Sequence, residues 1–217
     1  KVQSTVHYGS RLVFDNSGHL FVTMGERQNP APAQDLTFGH GKVVRITTNG
    51  DAAPGNPVVA NSTVKGLWSW GHRNPQGAAL HPTSGELWTN EHGPQGGDEV
   101  NRTLAGKNYG WPVISYGQAY GTTNQFGEGT AKDDMEQPLT YWETRDGSLY
   151  GGSGQKSSTA PSGMVFYTGD KFPEWKGNVF VGALAGTALW RLTLDGNTVT
   201  TTDANGNYRM SLPPGNY

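Results

Sequence analysis

Apolar and polar residues alternate in short runs along this chain. No window of a dozen residues keeps the i, i+3, i+4, i+7 apolar spacing of a helix without a Gly or Pro break. Strand-like runs recur in pairs instead. Arg11–Asp15 (RLVFD), the turn Asn16-Ser17-Gly18 and His19–Met24 (HLFVTM) form a hairpin pattern in which Leu12, Phe14, Leu20 and Val22 face one way. The layout returns at Ala78–His81, Pro82-Thr83-Ser84-Gly85 and Glu86–Asn90. It returns more loosely at Met164–Thr168 and Asn178–Gly182. Lys42–Gly50 (KVVRITTNG) and Leu189–Gly196 (LWRLTLDG) resemble each other and read as outer strands.

Repeated hairpins with repeated outer strands predict an all-β fold, a β-propeller. At about 40–50 residues per blade, the length corresponds to roughly four to five blades. Periodicity alone is also compatible with a sandwich or jelly roll. Three stretches lack regular pattern: residues 26–41, 117–134 and 144–161. Connections this long usually carry function, and on a propeller they would lie over one mouth of the ring. The propeller-like region is expected over 1–199. A divergent, turn-rich tail (DANGNY, LPPGNY) is expected over 200–217.

Composition narrows the functional classes. The 217 residues include no Cys, which excludes disulfides, Cys-ligated metals and thiol catalysis. A formal charge of −2 argues against nucleic acid or an anionic membrane surface as partner. No stretch reaches the ~20 apolar residues of a membrane helix, so no membrane insertion is expected. The opening KVQSTVHYGS has no apolar run of the kind a signal peptide carries. Gly 32 and Pro 13 make up about a fifth of the chain, while seven Trp supply large units of buried area. Such a chain suits short strands and tight turns.

Three places could carry chemistry. His7 precedes a strand beside Gly9, a position that suits a general base or a structural histidine. Arg73 and Asn74 combine a rigid five-donor fork with an amide. Together they could hold an oxygen-rich planar ligand, or form a turn before Pro75 with Arg73 paired to a carboxylate. Asn90–Asn101 (NEHGPQGGDEVN) could offer carbonyl and carboxylate oxygens to a hard cation such as Ca²⁺, or be a Gly-rich turn with solvated acids. His19 and His81, beside hairpin turns, read as surface residues. The histidines show no HExxH spacing.

Five segments in one order (HYGSRLVFDNSGHLFVTMGER, GHRNPQG, NEHGPQGGDEVN, GKNYGWP and APSGMVFY) resemble the soluble quinoprotein sugar dehydrogenases, the aldose sugar and glucose/sorbosone dehydrogenase family. The resemblance covers about residues 5–199. It implies a six-bladed propeller, here an incomplete or reduced ring, that binds pyrroloquinoline quinone (PQQ) and Ca²⁺. It also implies oxidation of the C1 hydroxyl of aldoses to lactones, with hydride passing to PQQ and electrons to an external acceptor. A periplasmic or extracellular location goes with it.

Carried over residue by residue, the resemblance makes His7 the general base and places Arg73 and Asn74 on the quinone. The Gly93 and Pro94 carbonyls would bind the calcium under the cofactor, and Glu99 and Tyr109 a second, structural calcium. Tyr120, Ala183 and Leu184 fall where other cofactor contacts lie. The chain departs from the family pattern in three ways. It starts at the His7 motif, it lacks the C-terminal arginines that clamp the cofactor, and it has Ala185 where Lys is common. A ring short of blades would leave open sheet edges and invite self-association. The alternative is a non-catalytic calcium-binding propeller used in extracellular assembly or glycan binding.

Overall fold

The computed structural model describes residues 4–142, 155–195, 198–200 and 208–210. Frequent Gly and Pro limit regular structure to short strands, and the two helical segments are single 3-10 turns at Ala31–Ala33 and Pro173–Trp175. The strands form three sheets. The first runs β1 (Gly9–Phe14), β2 (Leu20–Met24), β3 (Lys42–Ile46), β4 (Leu67–Trp70), with β8 (Lys107–Asn108) parallel to β4. The second runs β5 (Pro75–Leu80), β6 (Leu87–Glu91), β7 (Asp98–Arg102), β9 (Thr140–Trp142). The third runs β10 (Pro161–Phe166), β11 (Val179–Ala183), β12 (Ala188–Asp195), β13 (Thr198–Thr200). There β14 (Tyr208–Met210) also pairs with β12.

Each sheet is thus a four-strand antiparallel meander, the pattern of a propeller blade. The expected hairpins are β1–β2, β5–β6 and β10–β11. Their first strands lie side by side, with β5 packed against both β1 and β10. The described strands make three such sheets where length predicts four to five. Residues 26–41 between β2 and β3 and 117–134 between β8 and β9 are connections of this unpatterned kind, so the first two sheets consume more chain than an average blade. Lys42–Ile46 and Ala188–Asp195 are third strands with a further partner outside them. β14 lies within the stretch expected to be a divergent tail. Most of that tail, with its two expected turns, and residues 144–154 of the third loop lie outside the described residues.

The core fills the spaces between sheets. Trp88, Val100 and Trp142 of the second sheet pack with Met164, Phe166, Val179, Val181 and Leu192 of the third. Phe21 and Val43 of the first meet Leu87 of the second. Leu12 pairs with Val22 and Phe14 with Leu20, so the four share a face as the alternation requires. That face is the outer one: Leu12 and Phe14 are exposed, and Val13 and Phe21 turn toward the second sheet. His81 is not a surface residue. It is buried, lies 5.5 Å from the Trp88 ring and meets the Phe166 edge at 5.1 Å. His19 is half-buried, held by Asp15 and Arg45.

One feature repeats in all three hairpins. The ladder begins at Gly9↔Met24, Pro75↔Glu91 and Pro161↔Ala183, then shifts register within the next three residues. A bulge at this point twists the strand opening and re-aims the residues beyond it. The residues just outside these openings are 7–8 with 25–27, 73–74 with 92–94, and 159–160 with 184–186. Lys42 secures the first long loop above them. Its ammonium, wholly buried, donates to the carbonyls of Pro32 (2.7 Å), His40 (2.9 Å) and Ala33 (3.0 Å). Burial pushes this amine down to about 8, against the opposing pull of the Asp35 charge.

Two stability outcomes follow from this packing. Trp88→Ala empties the center of the interface between the second and third sheets and is expected to cost about 3–5 kcal/mol. Lys42→Met leaves three buried carbonyls without their donor and is expected to cost about 2–3 kcal/mol. Urea unfolding with an unchanged m-value measures both. A loss under about 1 kcal/mol at either position contradicts the account of that position.

Candidate active site at the hairpin openings

His7 sits at a positive φ of 55°, a strained conformation for a residue with a Cβ. Its carbonyl is fixed by Arg27, through the backbone N–H (3.3 Å) and the guanidinium (2.6 Å). Its ring Nδ1 lies 2.6 Å from Glu26 Oε1. Glu26 is 1% exposed, and its second oxygen, Oε2, has no hydrogen-bond partner. Gly25 between them is required by space, since a Cβ there would lie 2.1 Å from the His7 carbonyl oxygen. The first sheet is tied to the second where the Glu26 N–H donates to the Arg73 carbonyl at 2.9 Å.

The Trp70–Gly77 segment turns through buried His72, Arg73 and Asn74. His72 is the hub: Nε2 meets Ser69 Oγ at 2.8 Å, Nδ1 meets Glu91 Oε1 at 2.9 Å, and the ring stacks on Tyr109 at 4.7 Å. The other Glu91 oxygen accepts the Arg73 backbone N–H at 2.7 Å. Among the described residues, no carboxylate pairs with the Arg73 guanidinium. It donates to the His92 carbonyl (3.2 Å) and to the Tyr120 hydroxyl (2.8 Å) and lies 5.1 Å over the Trp111 ring. Its Nε is buried without a partner. Asn74 accepts from Gln76 at 2.9 Å, and its carbonyl receives the His92 N–H.

Of the acids in the 90–101 segment, Glu91 and Asp98 are buried rather than solvated, and Glu99 is half-buried. Asp98, fully buried, accepts from Gly93 N–H (2.9 Å), Thr159 N–H (2.7 Å), Ala160 N–H (2.9 Å) and the Ser158 hydroxyl. It therefore clamps the Gly93–Pro94 turn to the start of the third sheet. His92 adds a second tie, with Nε2 donating to the Pro161 carbonyl at 2.8 Å; burial holds its imidazolium below the usual histidine range. Burial, with Glu91 and Asp98 nearby, pushes the Glu99 carboxyl up to about 8. Asn101 donates to both Glu91 and Glu99 at 3.2 Å, and its own Oδ1 is buried without a partner. Glu91, Gly93, Glu99 and Tyr109 line a cavity of about 20 Å³, room for one water-sized occupant.

Tyr109 is anchored by its side chain, since its hydroxyl donates to the Arg102 carbonyl and accepts from Leu104 N–H at 2.7 Å. A cation in the cavity would draw on its backbone carbonyl instead. Among the described residues, no three or more His, Cys, Asp or Glu side chains form a ready cage, so carbonyl oxygens would have to share the coordination. Ala183 ends β11 opposite Pro161, and exposed Leu184 donates its N–H to the Ala160 carbonyl at 2.9 Å.

The structure thus brings His7, Arg73, Asn74, Gly93, Pro94, Tyr120, Ala183 and Leu184 to the same end of the three hairpins. Glu99 and Tyr109 line the small cavity together with Arg73 and Gly93. Sequence reading missed Glu26, His72, Glu91, His92 and Asp98.

Comparison with known proteins identifies the family. The glucose/sorbosone dehydrogenase family profile matches residues 1–210. Aldose sugar dehydrogenase YliI of Escherichia coli is 42% identical over 92% of the chain and 51% of the relative. Quinoprotein glucose dehydrogenase B of Acinetobacter calcoaceticus is 27% identical over 97% and 57%. The apo structure of the soluble E. coli aldose sugar dehydrogenase superposes with a TM-score of 0.79 at 43% identity, covering 91% of this chain and 54% of that one. A PQQ-bound aldose sugar dehydrogenase from Streptomyces coelicolor superposes at 0.70 with 28% identity, covering 96% and 50%. The chain spans about half the length of these relatives. With the family profile matched along nearly all of its length, this chain belongs to the glucose/sorbosone dehydrogenase family.

Proposed function

We propose that this chain carries the reaction center of a PQQ- and Ca²⁺-dependent aldose sugar dehydrogenase, which oxidizes the C1 hydroxyl of an aldose to the lactone. The observation that carries the reading is the buried Glu26 carboxylate 2.6 Å from His7 Nδ1, at the hairpin openings that also hold Arg73. The residues fit both groups. The buried, unpartnered Arg73 Nε suits an electron-rich oxygen, and the half-buried Glu99 beside an orphaned Asn101 oxygen suits a hard cation. When bound, PQQ supplies the hydride acceptor and Ca²⁺ the Lewis acid that polarizes it.

The chain's own part is proton handling and charge placement. With Nδ1 against a carboxylate, the ring hydrogen belongs on Nδ1 and the lone pair on Nε2. Nε2 then takes the C1 hydroxyl proton, and Glu26 stabilizes the imidazolium that forms. Arg73, held 5.1 Å over the Trp111 ring, offers donors to negative charge as it develops. In this reading Asn74, Ala183 and Leu184 would contact the quinone beside it, and the carbonyls of Gly93 and Pro94, in the turn that Asp98 clamps, would bind the calcium under the cofactor. Glu99 and the Tyr109 carbonyl would hold a structural calcium. An external electron acceptor and a periplasmic or extracellular setting belong to the same proposal. No helix among the described residues is long and apolar enough to cross a membrane.

Dye reduction with an aldose, in protein incubated with PQQ and Ca²⁺, tests the assignment. His7→Gln is expected to lower kcat about 10²–10⁴-fold while the quinone absorbance retained after desalting stays at the unsubstituted level. Glu26→Gln, which keeps the shape but not the charge behind His7, is expected to lower kcat roughly 10²-fold with little change in KM. A His7→Gln protein within tenfold of the parent removes the base from the mechanism. A parent protein that neither retains quinone nor reduces dye removes the proposal.

A further inference from the structure

The first long loop, residues 26–41, reaches the reaction center at two places. Its start, Glu26, stands behind His7 and donates its backbone N–H to the Arg73 carbonyl at 2.9 Å. Its middle carries Gln34, a residue with no part in proton transfer. The Gln34 and Asn108 side chains form a reciprocal amide pair. Gln34 Nε2 donates to Asn108 Oδ1 at 3.0 Å, and Asn108 Nδ2 donates back to Gln34 Oε1 at 2.8 Å. Gln34 Nε2 also donates to the Trp111 carbonyl at 2.7 Å, and Asn108 Oδ1 accepts the Gly110 N–H at 3.0 Å. A loop of the first sheet is thereby fastened to the turn that carries buried Trp111.

Gly71 is the surface against which the pair is set. Its carbonyl accepts the Trp111 N–H at 2.9 Å, and its own N–H donates to the Ala33 carbonyl at 3.0 Å. A Cβ at position 71 would lie 2.2 Å from Asn108 Oδ1 and 2.8 Å from Gln34 Nε2. Trp111 is thus held through its backbone on both sides, by Gly71 at the N–H and by Gln34 at the carbonyl. What rests on Trp111 is Arg73. The guanidinium lies 5.1 Å over the indole, which stacks on Phe126 at 4.6 Å. Its other anchors are single hydrogen bonds to the His92 carbonyl and the Tyr120 hydroxyl. With no carboxylate among the described residues to fix it, its direction depends on the ring it lies over.

We propose that Gln34 is a positioning residue: its amide, paired with Asn108, sets the Trp111 ring and through it the aim of the Arg73 guanidinium at the quinone. The inference rests on the dehydrogenase reading and deepens it. The loop that orients the base at Glu26 also orients the guanidinium at Gln34.

A double-substitution cycle read by PQQ binding tests this without turnover, with binding followed in the presence of Ca²⁺ by quenching of tryptophan fluorescence. Gln34→Met keeps the length, removes the amide and is expected to weaken PQQ binding about tenfold, with Arg73→Ala weakening it at least as much. Adding Gln34→Met to Arg73→Ala is expected to change binding by less than about twofold, because the group through which Gln34 acts is already gone. Gln34→Glu keeps the shape and the oxygen that Asn108 meets but, as a carboxylate, lacks the donors. It is expected to match Gln34→Met and carries the test if Gln34→Met does not fold. In protein saturated with PQQ, Gln34→Met is expected to lower kcat about tenfold, with KM for D-glucose within about threefold. Losses that multiply in the doubly substituted protein overturn the inference, because a purely structural defect acts independently of Arg73. Binding within about twofold of the parent in both Gln34 variants also overturns it and leaves the dehydrogenase reading intact. A parent protein that neither binds PQQ nor reduces dye overturns both.

Discussion

Three carboxylates cut off from water hold the functional end of this protein together. Glu26 supports His7, Glu91 fixes His72 and the Arg73 backbone, and Asp98 joins the Gly93 turn to residues 158–160. A buried carboxylate is costly unless donors replace its water. Here most of those donors come from segments far apart in sequence, often from a neighboring sheet. The cost is therefore offset only when the three hairpin openings sit in register, and side-chain desolvation becomes a constraint on how the sheets are placed.

The hairpin bulges are the backbone side of the same arrangement. An unbroken ladder would carry strict alternation through the opening and turn every second residue toward a sheet neighbor. A register shift right after Gly9, Pro75 and Pro161 releases the preceding residues from that alternation. One structural device, used three times, thus presents His7, the Arg73–Asn74 pair and the Ala160–Pro161 carbonyls at one end. The core clusters between sheets keep the bulged ends from sliding, because Trp88, Phe166 and Val181 lock the second sheet to the third.

The site combines a rigid floor with unmet polar demand. His72, Glu91 and Asn101 form a nearly closed network, but Glu26 Oε2, Arg73 Nε and Asn101 Oδ1 remain without partners. Buried polar atoms are rarely left this way in native proteins, and such exceptions cluster where a ligand or ion completes the set. The same holds for Glu99, whose carboxyl is pushed up toward neutrality by burial among other acids. Arg73 lies over Trp111 and holds the Tyr120 hydroxyl.

Local pattern determined a good deal about this protein. The three inner hairpins, the shared face of Leu12 and Phe14, and the motifs around His7, Arg73 and Gly93 were legible because strand period, turn chemistry and short motifs are properties of neighboring residues; that this face is the outer one was not. The number of sheets was not legible, because loop residues at 26–41 and 117–134 cannot be distinguished from blade residues by count. Nor was the burial of His81 or of the acids at 91 and 98. Whether a polar side chain meets water or a distant N–H depends on contacts across 60 residues or more, such as Asp98 with Ala160. Only tertiary structure decided that Glu26 stands behind His7 and that Tyr120 closes on Arg73. Both pairings are made by loops whose paths are set by packing between sheets, which no local spacing encodes.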